Sequence, residues 1–147
     1  MVPGEVSSSE AIRTILESAR TIAVLGAATE PSRPGFYVPD YLARQGYRIL
    51  PVNPLHRRLS QWGQPFCSKL EEIGEDVDIV DVFRHPGFLP GHLEDFLAMR
   101  PRPKVVWFQS GIRHDEVAAA LIAAGIAVVQ DRCTLAEHRS MGIGPRR

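Results

Sequence analysis

Six arginines carry the clearest chemical signal: Arg33, Arg57, Arg58, Arg84, Arg113 and Arg132 each stand shortly beyond an apolar run. A guanidinium is a rigid fork of donors that matches phosphate oxygens, so arginines gathered at one edge of a fold suit a phosphate-rich ligand. Only Glu30 and Asp131 oppose them nearby, whereas Glu71, Glu72, Glu75, Asp76, Asp78 and Asp81 cluster before or within the third run. Bond-making chemistry has a thinner basis. His56, His85, His92, His114 and His138 show no metal-type spacing such as HxxxH, and no nucleophile–base pair stands out. Cys67 and Cys133 form no CxxC pair; Cys133 follows Arg132, a setting that suits an activated thiol and an ordinary packed one alike. No catalytic residue and no metal ligand is assigned, and the chemistry expected is anion recognition.

Those arginines meet only if the fold brings their loops together. Five apolar runs, at 21–25, 47–52, 77–83, 105–108 and 126–129, are rich in Val and Ile and nearly continuous, as strands buried on both faces are. Helical patterns alternate with them. Ser7-Ser8-Ser9-Glu10 opens the first, with Ser7 and Glu10 as a capping box. A stripe of Tyr37, Val38, Tyr41 and Leu42 makes the second, stopped at Gly46, with Pro39 expected in its first turn. Helices are also expected over 89–99 and 115–124 and a short turn at 70–73, while the tail from Cys133 to Arg147 shows no clear periodicity. The alternation predicts an α/β, Rossmann-like doubly wound parallel sheet of about five strands with helices on both faces. The expected strand order is 3-2-1-4-5, within a single domain spanning 1–147 and a core of about 10–138. In such a sheet every post-strand loop lies on one edge, and the ligand crevice is expected above the first and fourth strands.

The 147 residues carry 17 basic and 17 acidic side chains, so no net charge draws the chain toward nucleic acid or an anionic membrane. The longest apolar run, 117–129, is short of a membrane span, and the N-terminus lacks the pattern of a signal peptide. With no disulfide framework either, a cytoplasmic setting is expected.

The first post-strand loop, Gly26-Ala27-Ala28-Thr29-Glu30-Pro31-Ser32-Arg33-Pro34-Gly35, is small and polar and leads into a helix whose free N–H groups suit a phosphate. It lacks the GxGxxG fingerprint, so it reads equally as a plain strand-to-helix turn. After the second strand, Pro51-Val52-Asn53-Pro54 offers no carboxylate for a ribose diol, which removes the best marker of an NAD site. Asn53 is there to contact a ribose or simply to turn the chain.

The ordered stretches together are more specific than any one of them. Ile22-Ala23-Val24-Leu25-Gly26 with Ser32-Arg33-Pro34, Gly46-Tyr47-Arg48-Ile49-Leu50-Pro51-Val52-Asn53-Pro54, Val77-Asp78-Ile79-Val80-Asp81-Val82-Phe83-Arg84, Val106-Trp107-Phe108-Gln109-Ser110-Gly111-Ile112-Arg113, and Val128-Val129-Gln130-Asp131-Arg132-Cys133 with Glu137-His138 cover roughly 10–138. This series resembles the stand-alone CoA-binding domain proteins, similar to the CoA-binding domain of the succinyl-CoA synthetase alpha subunit and of NDP-forming acyl-CoA synthetases. The resemblance implies coenzyme A or an acyl-CoA as ligand. It implies that Gly26, Ala27, Ala28, Thr29, Ser32, Arg33 and Pro34 hold the phosphates, and that Asn53, Pro54, Phe83 and Arg84 frame the adenosine. Gln109, Gly111 and Ile112 would lie toward the pantetheine arm, and Gly35-Phe36-Tyr37 would approach the nucleotide. The chain has no length for the synthetases' further domains, so ligand binding is expected without catalytic machinery, with presentation of CoA to an unspecified protein partner. Two other readings stay open: an NADP-type nucleotide-binding enzyme or sensor, with Arg57 or Arg58 on a 2′-phosphate, and an interaction module without a small ligand.

Overall fold

Side chains alternate between the two faces of a strand, so a run that is apolar at every position needs a hydrophobic layer on both sides. The computed structural model describes residues 1–145 and has that arrangement; Arg146 and Arg147, the end of the expected 1–147 domain, lie outside the described residues. Its strands are β1 (Thr21–Leu25), β2 (Arg48–Val52), β3 (Ser60–Gln61), β4 (Gln64–Pro65), β5 (Ile79–Val82), β6 (Val105–Phe108) and β7 (Ala127–Val129), and its helices α1 (Ser9–Ser18), α2 (Pro34–Arg44), α3 (Leu89–Ala98), α4 (Asp115–Ala123) and α5 (Thr134–Ser140). Five strands form one parallel sheet, and β3 and β4 form a small antiparallel ladder of their own. Ile22, Val24, Ile49, Ile79 and Trp107 face a layer built from α1 and α2, which α5 joins. Ala23, Leu25, Val80, Val106 and Phe108 face α3 and α4. Trp107, Phe96 and Phe108 are fully buried, each contributing roughly 1.5–3 kcal/mol by leaving water. The Trp107 indole N–H donates to the Arg132 carbonyl at 2.7 Å, so its polar tip is satisfied inside the core.

The doubly wound parallel sheet matches the expectation, but the order of its strands does not. The sheet runs β2-β1-β5-β6-β7, which is 2-1-3-4-5 for its members in chain order, rather than 3-2-1-4-5. The reason stands within β2. The Pro51 carbonyl accepts from the Cys67 N–H at 3.0 Å on the side away from β1, so the proline nitrogen, which has no hydrogen to donate, faces outward too. A proline interrupts the ladder least on an edge strand, and β2 is one. Cys67 bridges to Val52 on that outer edge, where a further strand would have paired. At the other edge, the Val6 N–H donates to the Val128 carbonyl at 2.8 Å.

Three local readings also change. Ser8, not Ser7, caps α1, its hydroxyl accepting the Ala11 N–H at 3.2 Å. Helix α2 starts at Pro34, which puts Pro39 inside the helix rather than in its first turn. A proline there leaves the carbonyl four residues back without its helical donor, and that carbonyl, of Gly35, accepts the Ala28 N–H at 3.1 Å instead. The segment after Cys133 is helical: α5 packs against α1 and α2, and the buried His138 ring pairs through Nδ1 with the Tyr41 hydroxyl at 2.8 Å. Among the described residues no helix is long and apolar enough to cross a membrane.

Candidate functional site

The strand order reverses between β1 and β5, so the crevice lies above that pair rather than above the first and fourth strands. A cleft of about 620 Å³ opens there, its walls made by the loops after β1, β5, β6 and β7 and by the start of α2. Its floor depends on two glycines. Gly26 has φ +86°, and a Cβ on it would stand 2.6 Å from the Phe83 carbonyl oxygen. A Cβ on Gly35 would stand 2.8 Å from the Gly26 carbonyl oxygen. Loop, helix and β5 therefore approach one another at backbone distance.

Hydrogen bonds hold the loop after β1 from every side. The Gly26 and Ala27 N–H groups donate to Val52, and the Ala28 N–H to Gly35. The Ala27 carbonyl accepts from Asn53 Nδ2 at 2.9 Å and the Ala28 carbonyl from Gln61 Nε2 at 2.8 Å. The amides of Gly26, Ala27 and Ala28 are thus engaged within the fold. An anion has instead the N-terminus of α2, which no side chain caps, and the neighbouring arginines.

Of the residues singled out from the sequence, Gly26, Ala28, Arg33, Pro34, Phe83, Arg84, Gln109, Gly111 and Ile112 line the cleft together. Ala27 is fully buried beneath it, and Thr29 and Ser32 lie outside its lining. Asn53 braces the loop through Ala27 and caps the turn that follows by accepting the Leu55 N–H at 3.0 Å. Pro54 lines a separate shallow cavity with Arg57 and Arg58. The lining also takes in Tyr37, Val38, His85, Pro86, Ser110 and Cys133. Of these, Val38 reads in the sequence only as part of the apolar stripe of α2 and Pro86 has no signal at all, because an apolar residue on a helix or turn carries no mark of facing a ligand rather than the core.

The arginine rim divides in two. Arg113 is bound by Glu5, through Nη2–Oε1 at 2.8 Å and Nη1–Oε2 at 3.1 Å, and Arg132 by Glu137 at 3.0 Å. Burial works to raise the Glu5 pKa, but hydrogen bonds from Arg113, Gln130 and the Val2 N–H hold it below the ordinary carboxylate value. Arg33 and Arg84 remain on the cleft. Arg33 is largely exposed, with Glu30 at 3.8 Å. Arg84 is oriented: its Nε donates to His92 Nε2 at 3.3 Å, and its guanidinium carbon stands 4.5 Å from the Phe88 ring centre. Because Arg84 can only donate, His92 carries its proton on Nδ1, which donates to Asp95 Oδ2 at 2.9 Å. Asp95, His92 and Arg84 form a chain that ends at the cleft.

The acidic segment stands mostly at the opposite edge. Asp78 accepts the Arg20 and Thr21 N–H groups and pairs with Lys104, and Glu75 pairs with Arg48, all around the starts of strands. Asp81 is the exception. It is fully buried in β5, accepting from Gln109 Nε2 and, at 3.0 Å, from the Thr134 hydroxyl. Burial pushes its pKa up to about 7 against the opposing pull of these two hydrogen bonds. Among the described residues no group of three or more His, Cys, Asp or Glu side chains is placed to hold a metal ion.

With this geometry in hand, likeness to known proteins becomes informative. The family model described as a CoA binding domain matches residues 20–139. A Bacillus subtilis (strain 168) protein, the uncharacterized YneT, is 35% identical over 131 residues, covering 89% of this chain and 94% of its own. The structure of a Thermus thermophilus protein designated cell-free ID.343 superposes with a TM-score of 0.87 at 50% identity, covering 92% of this chain and 99% of that one. A dinucleotide-forming acetyl-coenzyme A synthetase 1 of Ca. Korarchaeum cryptofilum shares the fold, with a TM-score of 0.66 at 19% identity over 80% of this chain and 26% of that one.

Proposed function

Because the chain belongs to the CoA binding domain family, we propose that it binds coenzyme A or an acyl-CoA in the cleft above β1 and β5, without bond-making machinery of its own. The observation that carries this reading is the convergence of Arg33, the oriented Arg84 and Gly35 at the start of α2 on one cleft at the switch point. CoA is an adenosine bearing a 3′-phosphate and a 5′-diphosphate, joined to a long arm with two amides and a thiol. Its phosphates suit the two guanidiniums, and its arm suits the loop of Gln109, Gly111 and Ile112. Arg57 and Arg58 line a different cavity, so nothing in the cleft favours a 2′-phosphate over the CoA head.

Ligand at a hundred times its Kd stabilises a fold by about 2.7 kcal/mol, a rise of roughly 5–10 °C in Tm for a domain of this size. CoA should produce that shift, 3′-dephospho-CoA a smaller one, and NADPH none. Indifference to CoA at millimolar concentration overturns the reading, and a shift with NADPH alone transfers the site to the dinucleotide alternative.

The chain behind Arg84 makes a finer prediction. Arg84→Ala should weaken CoA binding about tenfold, in the range of a charge-assisted hydrogen bond. His92→Ala should weaken it roughly threefold in the parent protein and have almost no effect once Arg84 is gone. Titration calorimetry on the four proteins of this cycle checks it; an equal loss from His92→Ala in both backgrounds would show that His92 does not act through Arg84.

A further inference from the structure

Ser110 and Cys133 line two cavities at once: the cleft, and a second hollow of about 410 Å³ beyond it, at the β7 end of the sheet. The inference that follows rests on the CoA reading of the first. Across the carboxyl edge the post-strand loops come in the order β1, β5, β6, β7. Phosphates held by Arg33 and Arg84 occupy the first two positions. A linear ligand must then carry its arm over β6 toward β7, about 14 Å from β1 at the usual strand spacing. The thiol end of such a ligand arrives at Ser110 and Cys133, where the second hollow begins.

We infer that this hollow seats the acyl group of a bound thioester, and that the group it takes is short, uncharged and hydrogen-bonding. Its walls are polar, with Glu5, Ser7, Arg113, Gln130, Arg132 and Glu137 among them. An aliphatic chain gains roughly fourfold in affinity for each methylene taken into an apolar chamber, and of these walls only Met1, Cys133 and Ala136 are apolar. A carboxylate fares no better. Glu5 already binds Arg113 with both oxygens, and Asp115 stands 3.0 Å from its Nε. Arg132 is held by Glu137 and by the Ser7 carbonyl at 2.9 Å. A ligand anion would have to displace a carboxylate that is already in place. A hydroxyl or amide meets no such competition, because it can donate to the carboxylates or accept from the guanidiniums and Gln130 without separating them.

Titration calorimetry with CoA, butyryl-CoA, 3-hydroxybutyryl-CoA, octanoyl-CoA and glutaryl-CoA tests this. The hydroxyl should tighten binding about tenfold over butyryl-CoA, as a hydrogen bond to a charged group does. Octanoyl-CoA should stay within about threefold of butyryl-CoA, and glutaryl-CoA should bind no tighter than butyryl-CoA. Ala136 lines the second hollow alone, on the exposed side of α5, so Ala136→Leu should reduce the hydroxyl preference below about threefold, by excluding one hydrogen-bonded group. Affinity that climbs with chain length, a preference for glutaryl-CoA, thioesters blind to the hydroxyl, or an undiminished preference in Ala136→Leu each overturn the acyl assignment while leaving CoA binding standing. If CoA and every thioester fail to bind, the CoA reading falls and this assignment falls with it.

Discussion

Asp81→Asn should make the protein more stable at pH 7 and above and change it little near pH 4. In the native state the carboxyl keeps its proton up to about pH 7, because burial in β5 disfavours the charged form more than Gln109 and Thr134 favour it. The unfolded chain releases the same proton near 3.8. Between those values the native state binds more protons than the unfolded one, so raising the pH drains stability at about 1.4 kcal/mol per unit. By pH 8 the accumulated loss is on the order of 4 kcal/mol. Asparagine has nearly the same shape and no proton to lose, and the Thr134 hydroxyl can rotate to accept from its amide. The variant should therefore start within about 1 kcal/mol of the parent near pH 4 and overtake it as the pH rises toward 7. Glu5, Glu75 and Asp78, whose pKa values are lowered, add stability that is lost as the pH falls through their native values. They are common to both proteins and cancel in the difference. Urea unfolding from pH 4 to pH 8 measures it, and a difference that stays constant with pH refutes the assignment of the buried proton.

Gly26→Ala is expected to cost about 3 kcal/mol, from two separable causes. The left-handed backbone at φ +86° costs an L-residue roughly 1–2 kcal/mol. The new Cβ would also meet the Phe83 carbonyl oxygen at 2.6 Å, and a backbone atom cannot rotate aside, so overpacking adds about 1–3 kcal/mol. Gly111 separates the two causes: it has nearly the same φ, +81°, with nothing within 4 Å of the position its Cβ would take. Gly111→Ala should thus cost the backbone component alone, about 1 kcal/mol. Equal losses in the two variants, measured by urea unfolding, would mean that the contact between the β1 and β5 loops contributes nothing.

Elements whose logic is local were legible in the sequence. The runs at 21–25 and 105–108 became strands with those bounds because every side chain in them but Thr21 is apolar and the sheet has a layer on each face. What depended on distant partners was not. The strand order turned on which side of β1 the chain returns to, and the residue that decides it, Pro51, reads in isolation as one more member of an apolar run. Pro39 reads from the sequence as a first-turn residue because its effect on a helix interior is costly; Ala28, 11 residues earlier, supplies the missing donor. Helix α5 is only 7 residues long and has too few turns for a periodic pattern. In the site, the arginines at strand ends were visible by type, but their division was not. Arg113 meets Glu5, 108 residues away, and no local spacing announces such a pair. Asp81 looked like part of an acidic segment, since only the sheet shows that it points inward between Ile79 and Trp107 neighbours.

The two borders of the main sheet have a consequence for how this molecule meets others. A proline without a donor and the Cys67 bridge occupy the outer side of β2, and Val6 takes a carbonyl on the outer side of β7. Little main-chain hydrogen bonding is left for a visiting segment to complete by β-augmentation, and the same closure guards against edge-to-edge aggregation. Recognition by a partner must therefore run through side chains, and a sequence of suitable β-propensity is no qualification for it.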